Sequence, residues 1–173
     1  MTILDRLLGH DAWTTRQLLL RCRELSEEQM SRRFDIGDRS LFETFVHMIE
    51  CYELHIDRML GRPERELKVS QSVDGLLTRQ SVAAKELASL ANRVEREGRA
   101  DEMWGDRDGG TMSLGGGIAH LITHSMHHRA QILYMMERLG VPDVMEGDAL
   151  GWEGQARGWG YKVCNSYGRL VAE

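Results

Sequence analysis

The chain is predicted to be all-α, a bundle of long helices. Four long segments repeat apolar residues at the helical period, capping boxes and Gly or Pro stops bound them, and no convincing alternating run offers a sheet. The 173 residues suit one domain, with the bundle over about residues 1–140 and a tail over about 141–173. Apolar residues at 42% and charged residues at 28% are ordinary for a folded globular chain and too apolar for a disordered one.

The first helix is expected over residues 2–24, where Ile3, Leu4, Leu7 and Leu8 open the period and only Gly9 interrupts it. Ser26 to Gln29 have the form of a capping box that starts a short extra turn before the loop "FDIGDR". Ser40 and Glu43 form another box, from which a second long helix runs to about Leu60, with Gly61 as its C′ residue and Pro63 as its stop. The connection "GRPERELKVS" is long enough to cross the end of a bundle, so neighbouring helices need not be simple hairpins. The third covers about Ser72 to Glu97, with Val73, Leu76, Leu77, Leu87, Leu90, Ala91 and Val94 on one stripe and Gly98 ending it.

"DRDGG" is a turn signal able to tip a small hairpin before the fourth helix, which is expected from near Ser113 to Leu139 and closed by Gly140 and Pro142. The glycines at 115–117 cost about 1 kcal/mol each against Ala, which points to close backbone packing or room for a pocket. From Val141 the period dissolves into a Gly-rich tail that still carries Trp152, Trp159, Tyr161 and Tyr167. Such aromatics seldom stand in water, so an irregular tail packed back on the bundle is expected.

Net charge is −5 and no basic stripe interleaves with aromatics, so the electrostatic footprint of a nucleic-acid binder is missing. No apolar run reaches the length of a membrane span, and the first residues carry charges too early for a signal peptide, which leads us to expect a cytoplasmic protein with no membrane partner. Cys22, Cys51 and Cys164 are odd in number and far apart, which fits free thiols rather than a disulfide framework or a thiolate zinc site. Cys51 sits one helical turn from His47.

Chemistry concentrates in "HLITHSMHHRAQI", residues 120–132, which hold four of the seven histidines. With His124 at 0° on a helical wheel, Leu114, Ile118, Leu121, Ile132, Met136 and Leu139 fall between about 60° and 120° and mark the core face. His128 lies at about 40°, while His120 and His127 fall near −40° and −60°. His124 and His128 are therefore the pair nearest the core, and their i, i+4 spacing lets two imidazoles share one ion. Gln131 and Met135, near −20° and 20°, lie on the same strip as candidates to support the ligands or line a pocket. A third ligand must come from another helix. His47, on a second, partly apolar face beside Cys51 and Leu54, qualifies, but periodicity does not select it over His10. A zincin is excluded because Ser125 follows His124 where that mechanism needs Glu, and the Glu-x-x-His pairs of a di-iron bundle do not occur.

At "HSMHHRAQI" the sequence resembles the DinB family, the damage-inducible group within the DinB/YfiT-like metalloenzymes, whose last bundle helix carries His-x-x-x-His-Arg-x-Gln. "SLFETFVHMIECYELHIDRMLG" is similar to the family segment in which a histidine follows a Ser-x-x-x-Thr run, here Ser40 to Thr44, and "LLGHDAWTTRQLL" looks like its first helix. Ala130 stands where many relatives have Gly. The resemblance covers residues 1 to about 140 and implies a four-helix bundle in up-down-down-up order, often a homodimer. It also implies a divalent metal on three histidines, which map here to His47, His124 and His128.

Three neutral histidines leave a divalent ion an open position, the arrangement of a catalytic site. Zinc or nickel suits such a site first, iron or manganese also. The expected function is a thiol S-transferase or hydrolase acting on a small molecule, a low-molecular-weight thiol being one candidate partner; the alternative is a non-catalytic metal-binding stress-response dimer. Catalytic residues are not identified: Glu50 and Glu43 are the only carboxylates near His47, and His120 is a candidate to hydrogen-bond near the ligands. With no evident general base, thiol transfer is favoured over hydrolysis.

Overall fold

The structure, a computed structural model, describes residues 1–67, 72–105, 110–145 and 147–159. It is mostly helical. Four long helices, α1 (Ile3–Arg21), α3 (Leu41–Met59), α4 (Val73–Arg96) and α5 (Leu114–Arg138), pack against one another, and two short ones, α2 (Glu27–Ser31) and α6 (Ala149–Ala156), flank them. A 3₁₀ turn, Cys22–Glu24, extends α1.

Side chains start these helices and left-handed glycines end them. Thr2 with Asp5, Ser26 with Gln29 and Ser40 with Glu43 are complete capping boxes, the first of which the sequence reading missed. Ser72 and Ser113 accept from the backbone N–H of Gly75 and Gly116. Gly61, Gly98 and Gly140 take φ of +64°, +67° and +73° just beyond α3, α4 and α5, which only Gly adopts without steric cost.

The core has two parts. Leu18 and Leu19 from α1 meet Leu41, Phe45, Met48 and Ile49 from the start of α3, Leu76 from the start of α4, and Ile132, Met135 and Met136 from the end of α5. Leu8 of α1 meets Tyr52, Ile56 and Met59 late in α3, Leu87 to Val94 late in α4, and Leu114, Ile118 and Leu121 early in α5. Between the two parts lies a buried polar knot. Arg129 of α5 donates to Asp11 of α1 and, at 2.8 Å, to Ser125, while the Tyr52 hydroxyl donates to Asp11 at 2.5 Å. Burial, reinforced by Asp11, pushes the Tyr52 phenol well above its usual value, so it remains a donor.

The hairpin forms: β1 (Met103–Gly105) and β2 (Thr111–Ser113) pair antiparallel with Trp104 opposite Met112, and the tip, residues 106–109, lies outside the described residues. Close packing explains the run of glycines at the start of α5. A Cβ on Gly117 would stand 2.9 Å from Met59 Sδ and 3.1 Å from the Trp104 ring, and one on Gly115 would stand 3.1 Å from the Ala100 carbonyl.

The tail, expected to be irregular with its aromatics packed on the bundle, contains a helix, and Trp159 just beyond it stands exposed rather than packed. Asp148 caps α6 by accepting from Gly151 N at 2.8 Å, and α6 lies on α1, where the Trp152 ring covers Gly9 so closely that a Cβ there would overlap it. Glu153 bonds Arg6 at 2.9 Å, and His10 Nε2–H donates to the Gly147 carbonyl at 2.5 Å. Gly151 and Gly154 are buried, and these two glycines hid the helix from propensity reasoning. Tyr161, Cys164 and Tyr167 fall among residues 160–173, outside the described residues. No helix among the described residues is long and apolar enough to cross a membrane.

Candidate metal centre

The packing of α3 on α5 brings His47, His124 and His128 together. His47 Nε2 lies 3.3 Å from His124 Nε2, which lies 3.1 Å from His128 Nε2. Two imidazole nitrogens on one tetrahedral ion, each about 2.05 Å from it, stand about 3.3 Å apart, so the spacing already matches an edge of such a site. Among the described residues, these three form a group able to hold a metal ion.

Three nitrogens meeting at this distance leave little freedom in how the rings are protonated. Gln131 Oε1 lies 2.7 Å from His128 Nδ1, and with the proton on Nδ1 that ring turns its Nε2 lone pair to the triad. The Gln131 amide NH₂ in turn donates to His127 Nε2 at 3.2 Å. Gly37, in the loop before α3, lets that loop lie against the amide: at φ +70° it carries no Cβ, and one there would stand 3.2 Å from Gln131 Nε2.

Charge also favours the neutral ring. Burial, then Arg39 and His128, pushes the His47 pKa down to about 4, and burial with the neighbouring histidines pushes His124 down to about 4 as well. His128 is lowered by burial in spite of the opposing hydrogen bond from Gln131. At neutral pH all three imidazoles therefore present lone pairs, the form that ligates.

The other sequence candidates are placed as follows. Gln131 is buried against the triad; His120 is exposed, its ring 5.3 Å from that of His124. Met135 is fully buried in the core and packs there. Glu50 faces Arg79 at 3.9 Å, and Glu43 is engaged by the Ser40 cap and by Arg33. His10 holds the Gly147 carbonyl, away from α3. Arg129 is committed to Asp11.

Sequence reasoning missed Gly37 and Arg39, and although it noted Cys51 and His120 it did not join them with His55 into a second group one turn along the same helices. The i, i+4 row His47, Cys51, His55 was the signal available for that group. Cys51 is half-buried, and burial pushes its thiol up to about 11 against the opposing charge of Arg58, so in the metal-free protein it is a weak nucleophile.

No curated protein matches the chain. Solved structures share its fold, two of them as follows. A DinB-like protein from Bacillus cereus ATCC 10987 superimposes with a TM-score of 0.59 at 20% identity, over 77% of this chain and 89% of that one. A protein ascribed to the DinB family from Exiguobacterium sibiricum 255-15 does so with a TM-score of 0.61 at 22% identity, over 86% and 99%. The DinB family profile matches residues 1–150, the span that contains α1, the histidine triad and most of the chain, and on that match the chain belongs to the DinB family.

Proposed function

We propose that this chain is a metal-dependent enzyme acting on a small molecule, with His47, His124 and His128 holding zinc or nickel, and that it transfers a low-molecular-weight thiol to an electrophile. One observation carries the reading: three imidazole nitrogens converge at tetrahedral spacing, with the tautomer of His128 set by Gln131. A divalent ion on three neutral ligands keeps a position open and lowers the pKa of a water or thiol brought to it.

The residues around the triad favour thiol transfer over hydrolysis. Hydrolysis calls for a base to take the proton of the attacking water, and the nearby carboxylates Glu43 and Glu50 are turned to Ser40 and Arg79. A thiol, once ionised, attacks without one. Arg39, whose charge already bears on His47 and His128, would favour an anionic thiol or substrate beside them.

The same reading includes an up-down-down-up bundle that assembles as a homodimer in the cytoplasm. Support for the helix order comes from the core: the start of α1 and of α5 share one part with the ends of α3 and α4, and the other part reverses this.

The test of activity is conjugation of glutathione, cysteine and other biological thiols to monobromobimane by zinc- or nickel-loaded protein. The loaded protein should exceed metal-free protein, and His128→Ala should abolish the excess. Equal rates with and without protein for every thiol would leave a non-catalytic metal-binding dimer as the function.

A further inference from the structure

We propose that Cys51, His55 and His120 form a second metal site, for an ion of the zinc or copper(I) class, one helical turn from the histidine triad. Their ligating atoms lie within 4.8 Å of one another, a separation that small side-chain rotations close onto one ion. The site repeats the construction of the first. His47 faces His128 across the α3–α5 contact with ring centres 4.7 Å apart, and His55 faces His120 at 5.7 Å, so the helices bring ligands together turn after turn. Four residues of helix rise about 6 Å, which leaves room for two ions side by side.

The chemistry of the second group differs. One thiolate and two imidazoles are softer than three imidazoles and suit zinc and copper(I). Cys51 Sγ lies 3.6 Å from His55 Nδ1, and that nitrogen lies 2.8 Å from the Cys51 carbonyl. With its Nδ1 proton donated to the carbonyl, the His55 ring would ligate through Nε2, the nitrogen that Gln131 selects in His128. The Trp104 ring stands edge-on to His55 at 6.0 Å and walls the group on the hairpin side. Binding replaces the Cys51 S–H proton with the ion and releases that proton to solvent.

The probe is cobalt(II), titrated without oxygen into the full metal-free chain. The wild type should bind two equivalents, one of them with a sulfur-to-cobalt charge-transfer band. Cys51→Ser should lose the band and one equivalent. His120→Ala should do the same, and because His120 is exposed its loss does not threaten the fold. His47→Ala should keep the band and lose the other equivalent. Absence of the band in the wild type would overturn the second site and leave the triad standing. A band that survives His120→Ala, or that disappears with His47→Ala, would assign Cys51 to the first centre and overturn it as well. A band kept in His47→Ala with no loss of stoichiometry would instead remove the triad and leave the second site.

Discussion

Gln131 decides which nitrogen of His128 faces the triad, and it can do so because Gly37 leaves room for its amide. Gln131→Leu fills a similar volume without the acceptor, so the ring is free to turn or to protonate on the wrong side. We expect zinc affinity to fall about 10- to 100-fold, read by competition with a chromophoric chelator, with helix content unchanged. Unaltered affinity would remove Gln131 from the site. The depressed histidines give a second expectation. Between about pH 4 and the ordinary value near 6.5 the unfolded chain binds protons that the folded metal-free chain refuses at His47 and His124. Stability from these groups is therefore complete above about pH 6.5 and is lost as pH falls toward 4. The urea midpoint of metal-free protein should drop from pH 7 to pH 4.5, and His47→Gln with His124→Gln should flatten that drop; parallel curves would contradict the account. At this level the sequence was partly legible. A helical wheel singles out His124 and His128, but His47 became specific only through the resemblance, because which two helix faces meet is a tertiary fact. Met135 shares the strip of the ligands on the wheel yet packs wholly in the core.

Helix boundaries were the most legible feature, since Ser40 with Glu43, Ser26 with Gln29 and the glycines after α3, α4 and α5 act through local hydrogen bonds and φ alone. α6 was not legible, because what holds it is remote: Trp152 on Gly9 and Glu153 on Arg6. Gly9→Ala should push the ring off α1, costing about 1–3 kcal/mol in urea unfolding and altering tryptophan fluorescence. An unchanged emission spectrum and midpoint would contradict the packing. The chain leaving α3 is clamped too. The Asp57 side chain is 1% exposed and accepts from the Arg65 backbone N–H at 2.8 Å, from the Arg65 side chain at 2.7 and 2.8 Å, and from Arg62 Nε at 2.5 Å. Burial alone would raise its carboxyl, but these bonds outweigh burial and hold it well below the usual carboxylate range. Asp57→Ala should cost about 2–3 kcal/mol, under the 3–5 typical of a broken buried pair because both arginines remain partly solvated. Its stabilisation is full above about pH 4 and fades only as pH falls further, so it does not mimic the histidine effect.

The fold as a unit depends on the Asp11, Arg129 and Tyr52 knot, which joins α1, α3 and α5 beside the triad. The partner of Arg129, 118 residues earlier, was invisible without the tertiary structure. Asp11→Ala should destabilise by about 3–5 kcal/mol, because it strands a buried guanidinium, whereas Asp11→Leu with Arg129→Met should cost clearly less than the two single changes summed. Additive losses in urea unfolding would mean the pair is not coupled. The central claim, that this fold exists to hold an ion between α3 and α5, is tested most directly by elemental mass spectrometry of untagged protein purified without chelator, for the wild type beside His47→Ala and His128→Ala. The account predicts at least one metal per wild-type chain and one fewer in each variant. A metal-free wild type, or a metal content indifferent to His47, would contradict it.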